Sequence, residues 1–246
     1  QKGADRIVAD FMPKGPRGTP GYEEIEIALL RLYEVTGKAE YLKMGQAFLK
    51  WRGRMRLFAP NLLRNFINNN RRVSQVEKEK KAYQAAHPDQ QVQSLPPENE
   101  AKRPPGIGLR FMWNALSGQF FQQHRPLEKQ TEPVGHAVRF AYLETAAAML
   151  DRITGEPHTL PSLEKAWDHM TDRKMYLTGG IGSLPVIEGF GRDFELDPEV
   201  AYAETCAALG SLFWNREMSA LTGAAKYSDL FEWQLYNAAL VGMGLD

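Results

Sequence analysis

The chain has 246 residues, 43% of them hydrophobic, with 30 basic and 30 acidic side chains. That length can bury a substantial core, but the balanced charge offers no net field to gather nucleic acid or an anionic membrane. No apolar run approaches the roughly eighteen residues of a bilayer span, one cysteine excludes an internal disulfide and leaves the compartment open, and five histidines lack the HxxxH or HExxH spacing of a zincin.

Gln1 is preceded by neither an initiator Met nor a signal peptide, so a processed, trimmed or fragmentary start is expected. From there the sequence predicts helical hairpins. Ile25, Ala28, Leu29, Leu32 and Tyr33 form one apolar stripe at helical spacing, and Tyr41, Met44, Phe48 and Trp51 form a second. Between them lies Thr36-Gly37, and Gly suits the left-handed cap that ends a helix. The same Thr-Gly phrase returns at Gly155 and Gly223. Val138, Tyr142, Thr145 and Met149 make a further stripe, as do Tyr227, Leu230, Phe231 and Leu235. No alternating strand pattern is evident. Hairpins that cannot bury their apolar faces alone must stack, as a solenoid or a closed toroid. The uneven spacing of the Thr-Gly phrases favours an all-α toroid with insertions.

Residues 64–105 interrupt this order. Their first part predicts an exposed, charged helix, and AAHPDQQVQSLPPENEAKRPP is polar and proline-rich. The segment is expected to be a surface insertion or lid, mobile unless a partner orders it.

The chemistry concentrates between Tyr176 and Cys206. Five glycines there (179, 180, 182, 189 and 191) permit irregular backbone, the usual mounting for functional side chains. Glu188 lies between Ile187 and Phe190, and an apolar setting raises a carboxyl pKa towards that of a general acid. The plainer reading is a loop carboxylate capping the next helix. Asp193, Glu195, Asp197 and Glu199 read as turn and helix-start residues, with Asp197-Pro198-Glu199 as an N-cap, N1 and N2 series. Glu204 and Cys206, two apart, face opposite sides of a regular helix, so joint metal ligation requires a helix start or a distorted turn. A lone cysteine is otherwise a small buried apolar group. His136, at a predicted helix start after Gly135, either satisfies local hydrogen bonds or contacts a sugar hydroxyl. Tyr202, Trp214 and Trp233 either stack on sugar faces or fill the core.

The phrases TGGIGS (178–183), EGFG (188–191), FELDPEVAYAETCAA (194–208) and LYNAALVGMGLD (235–246) resemble the β-L-arabinofuranosidase family. This is glycoside hydrolase family 127 with its relative family 146, once catalogued as a domain of unknown function. Residues 24–53 and 128–139 resemble it too, so the likeness covers most of the chain outside the polar insertion. The resemblance implies that residues 1–246 are part of one (α/α)6 toroid acting on plant-derived glycans. It implies Glu188 as acid/base, Glu204 and Cys206 as two ligands of a three-cysteine, one-glutamate zinc site, and His136 as a sugar contact. It implies a nucleophilic cysteine held on the zinc, one of two adjacent cysteines downstream of Asp246. Tyr22 stands where relatives commonly have a sugar-contacting histidine, which leaves the sugar open. Two other readings stay open: a non-catalytic helical scaffold or carbohydrate-binding protein, and a metal-independent inverting hydrolase pairing Glu188 with a downstream acid.

Overall fold

The structure, a computed structural model, describes residues 1–14, 18–55, 58–86 and 104–244. Most of the proposed insertion beyond residue 86 therefore lies outside the described residues. What precedes it is one long helix, α4 (Phe58–Ala86), exposed along its second half.

Three hairpins make the body. They are α2 (Glu24–Thr36) with α3 (Ala39–Trp51), α6 (Ala137–Thr154) with α7 (Leu160–Arg173), and α8 (Thr205–Thr222) with α9 (Ala225–Gln234). Each first helix ends on the glycine of a Thr-Gly phrase. Gly37, Gly155 and Gly223 are left-handed, with φ of 68°, 69° and 71°. A residue with a Cβ would be strained at each cap, and the chain reverses there within a few residues. Two further helices flank the hairpins: α1 (Lys2–Phe11) lies against α3, and α5 (Ile107–Leu116) precedes α6.

The first helices of the hairpins, α2, α6 and α8, pack side by side, and α3, α7 and α9 cover them from outside. Their directions agree. Starts meet starts, since Gly210 near the beginning of α8 faces Ala141 and Tyr142 early in α6. Ends meet ends, since Arg152 of α6 pairs with Glu217 of α8 and Glu34 of α2. Parallel inner helices with antiparallel outer ones are the arrangement of a partial (α/α)6 toroid. Among the described residues there are only isolated β-bridges and no named strand. No described helix is long and apolar enough to cross a membrane.

The core runs along this seam. Phe140 of α6 meets Trp214 of α8 edge-on, with centroids 5.5 Å apart, and both are fully buried together with Leu143, Met149, Leu163 and Met218. Trp214 is thus a core residue. The stripe proposed for α2 shifts by one position: Ala28 is exposed, while Leu30 and the carboxylates of Glu23 and Glu26 are buried. Arg52 explains the shift, because its buried guanidinium reaches Glu23 at 3.0 Å and Glu26 at 2.5 Å. Paired charges can occupy positions that isolated ones cannot.

Candidate active site

The inner helices start at one end of the toroid, and the loops before them carry the candidate residues. Tyr22 precedes α2, His136 is the N-cap of α6 and Glu204 the N-cap of α8.

Two glycines bring the loop of Glu188 onto the start of α6. A Cβ on Gly189 would stand 1.9 Å from the carbonyl oxygen of Gly135, and one on Gly135 would stand 2.1 Å from that of Gln119. The close approach lets Phe190 donate to Gly135 O (2.9 Å) and Ala137 donate to Glu188 O (3.0 Å), while Gly189 and Leu184 exchange backbone bonds. Glu188 itself is held at φ 51°, a left-handed conformation that non-glycine residues seldom adopt and that clusters at functional sites.

The result is a carboxylate–imidazole pair. Glu188 Oε2 lies 3.1 Å from His136 Nε2, with the carboxyl side chain 44% exposed and the imidazole 8% exposed. Val138 N–H donates to His136 Nδ1 at 3.3 Å. That bond requires an unprotonated Nδ1, so the ring proton sits on Nε2 and is donated to Glu188. Burial lowers the His136 pKa, with the Glu188 carboxylate opposing, which favours the neutral tautomer. The two apolar residues flanking Glu188 are occupied elsewhere. Ile187 packs with Ile107 and Leu184, and Phe190 packs on Phe140.

Tyr202 adjoins this pair. Burial first, and then the carboxylates of Glu188 and Glu204, hold its phenol proton on well above the usual range. One hydroxyl thus faces both acids. Glu204 is in extended conformation (φ −67°, ψ 153°) before the first turn of α8, so the opposite-face objection to a Glu-x-Cys pair does not apply at this helix start. Cys206 is exposed, yet desolvation of its sulfur and the facing Glu204 carboxylate push the thiol up to about 11. Tyr22 lies within electrostatic reach of both Glu204 and Cys206 and meets Tyr142 edge-on at 6.4 Å.

The remaining acids are structural. Asp193 bonds His169 at 2.8 Å and Arg173 at 3.0 Å, and Glu195 takes a two-pronged contact from Arg110 at 2.6 and 2.8 Å. The helix start expected at Asp197 does not form. Asp197 Oδ1 instead accepts from Glu199 N–H at 2.9 Å in a local turn, and the helix begins only after Glu204. Trp233 donates to Leu177 O at the surface. A cavity of ≈ 450 Å³ backs onto the Gly135–Phe190 contact, lined by Trp113, Asn114, Lys174 and Arg192 among others. None of the candidate residues lines it.

Tyr142, read from the sequence as part of an apolar stripe, belongs to this end of the toroid, as does Arg139, which was not singled out from the sequence. The available signal for Arg139 was helical spacing, since a residue three beyond His136 stays near the face carrying the cap.

Glu204 and Cys206 fit zinc chemically as two donors, one carboxylate and one soft thiolate. Among the described residues no three of His, Cys, Asp and Glu gather as a metal site. Two donors are fewer than the four that a tetrahedral zinc site takes.

A family model described as the β-L-arabinofuranosidase GH127 catalytic domain matches residues 8–246. A non-reducing end β-L-arabinofuranosidase of Bifidobacterium longum subsp. longum is 29% identical over 248 residues, covering 100% of this chain and 32% of that protein. A solved GH127 β-L-arabinofuranosidase from Geobacillus stearothermophilus T6 superposes with a TM-score of 0.68 at 35% identity, over 93% of this chain and 30% of the other. A solved GH127 β-arabinofuranosidase gives a TM-score of 0.65 at 30% identity, over 92% and 26%. The chain thus spans between 26% and 32% of the length of these relatives.

Proposed function

The chain belongs to the GH127 β-L-arabinofuranosidase catalytic-domain family, and from that premise we propose that the polypeptide carrying it removes β-L-arabinofuranosyl units from plant-derived glycans with retention. Residues 1–246 form part of one toroidal catalytic domain in this reading, with residues 64–105 inserted in it. The observation that carries the proposal is the 3.1 Å contact between His136 Nε2 and Glu188 Oε2, with the imidazole tautomer fixed by Val138 N–H.

The chemistry follows from the pair. His136 donates to Oε2, so in the acid form of Glu188 the transferable proton sits on Oε1. Glu188 gives that proton to the departing glycosidic oxygen as the bond to the anomeric carbon breaks. The sugar's other face is attacked by a thiolate, which the family resemblance assigns to a cysteine other than Cys206. Glu188, now ionised, takes a proton from the water that releases the sugar. Neutral His136 serves both stages, because an Nε2–H donor stabilises the carboxylate without competing for its proton. Glu204 and Cys206 would hold zinc together with donors from outside this chain. When bound, zinc keeps its thiolate ligands deprotonated at neutral pH. Tyr22 and His136 would meet the sugar hydroxyls.

Glu188→Gln in the active polypeptide tests this reading. Turnover of an unactivated arabinofuranoside should fall by about 10²–10⁴-fold, with a smaller loss on an aryl glycoside whose leaving group needs no proton. Full turnover of the unactivated substrate by that variant would remove Glu188 from the mechanism.

A further inference from the structure

We infer that Arg139 is a positioning residue that clamps the Tyr22 loop onto the start of α6, so that Tyr22 and His136 address the same sugar. This inference rests on the functional reading above and adds a residue to it.

Among the described residues, no backbone–backbone hydrogen bond outside the helices joins residues 18–22 to the rest of the protein. The approach to α2 is therefore held by side chains, and one of them touches three successive residues. The Arg139 guanidinium donates to the Gly21 carbonyl, lies 4.3 Å from the centroid of the Tyr22 ring and comes within 3.5 Å of Glu23 Oε2.

The same cation reaches two further rings. The guanidinium lies 5.6 Å from the ring of Phe120 and 5.2 Å from that of Phe121. Phe120 in turn meets the His136 imidazole edge-on at 5.4 Å. One cation is thus shared by the Tyr22 ring and the aromatic that meets His136. Arg139 Nε is buried without a partner, so the Nη groups and the ring contacts set the orientation. A lysine could reach Glu23 or Gly21 with a point charge, but could not offer a delocalised planar cation to the Tyr22 ring while donating to the Gly21 carbonyl.

The alternative role is charge neutralisation of buried Glu23, and Arg139→Lys separates the two. Lysine keeps the charge opposite Glu23 and loses the planar cation. In the active polypeptide that carries this chain, assayed on a β-L-arabinofuranoside, Arg139→Lys should melt close to the parent. It should raise KM by about tenfold, the scale of a lost desolvated cation–π contact, and change kcat far less. Tyr22→Leu should raise KM by a similar factor, and the double variant no further, because Arg139 acts through Tyr22. Amide hydrogen exchange at Gly21–Glu23 should quicken in Arg139→Lys, a readout independent of turnover. A parental KM in the lysine variant, multiplicative effects in the double variant, or unchanged exchange at Gly21–Glu23 would each overturn the inference. Were Glu188→Gln to remain active, the catalytic reading would fail, while the exchange measurement would still decide whether Arg139 anchors the loop.

Discussion

A single missing methyl group at Gly189 decides whether Glu188 can reach His136. The close approach to Gly135 leaves no room for a Cβ, since the nearest oxygen would be 1.9 Å away. Gly155 makes the informative contrast. It is left-handed at φ 69°, but a Cβ there would meet nothing within 4 Å. Gly155→Ala should therefore cost about 1 kcal/mol of backbone strain. Gly189→Ala should cost at least about 2 kcal/mol, because the loop must move off α6, and should lower activity as well. Thermal melts of the two variants in parallel check this, and equal losses would mean that the loop yields freely. The glycines were visible in the sequence. Which of them tolerates a side chain was not, because the answer depends on a carbonyl far away in the chain.

At the scale of elements, the hairpins are bolted together at the end remote from the site. Glu217 of α8 is 1% exposed and accepts from Arg152 at 2.9 Å and Arg216 at 2.6 Å, with Arg31 of α2 as a third partner. Glu34 closes the ring by pairing with Arg31 and Arg152, both at 2.8 Å. Three inner helices thus share one charge network, which fixes their register and, through it, the relative heights of Tyr22, His136 and Glu204. The arginines are partly exposed and can turn to water once the acid is gone, which limits the penalty. Glu217→Ala should still destabilise by about 2 kcal/mol, the range for buried hydrogen bonds to charged groups. Chemical denaturation checks this, and an unchanged midpoint would place the network among pairs that contribute nothing. The helices and their Thr-Gly caps were legible because period and cap chemistry act over a few residues. The start of α8 was misplaced at Asp197, where an aspartate-centred turn satisfies the same backbone donors without a helix following.

On the scale of the whole molecule, three parallel inner helices expose the side of the seam that faces the toroid axis. Tyr142 stacks on Phe213 there, with centroids 6.5 Å apart and planes 21° apart, and Phe213 is half exposed. The Glu204–Cys206 pair opens onto the same end. Two donors hold zinc weakly, because a structural zinc site takes four. The 246-residue chain should therefore retain less than one equivalent of zinc after dialysis, whereas the active polypeptide should retain about one. Stoichiometric zinc on the chain by itself, surviving Glu204→Ala, would show that other residues bind the metal.

The sequence by itself determined the hairpins, their left-handed glycine ends and the family likeness, all of which depend on short spacings. Only the tertiary structure decided that His136 and Glu188 form a bonded pair, that Tyr202 faces both acids and that Arg139 reaches both Tyr22 and Phe120. The His136–Glu188 and Arg139–Tyr22 contacts join segments that lead into different inner helices. They exist because the helices run parallel and two glycines let backbones close to contact distance, a condition that no local pattern encodes.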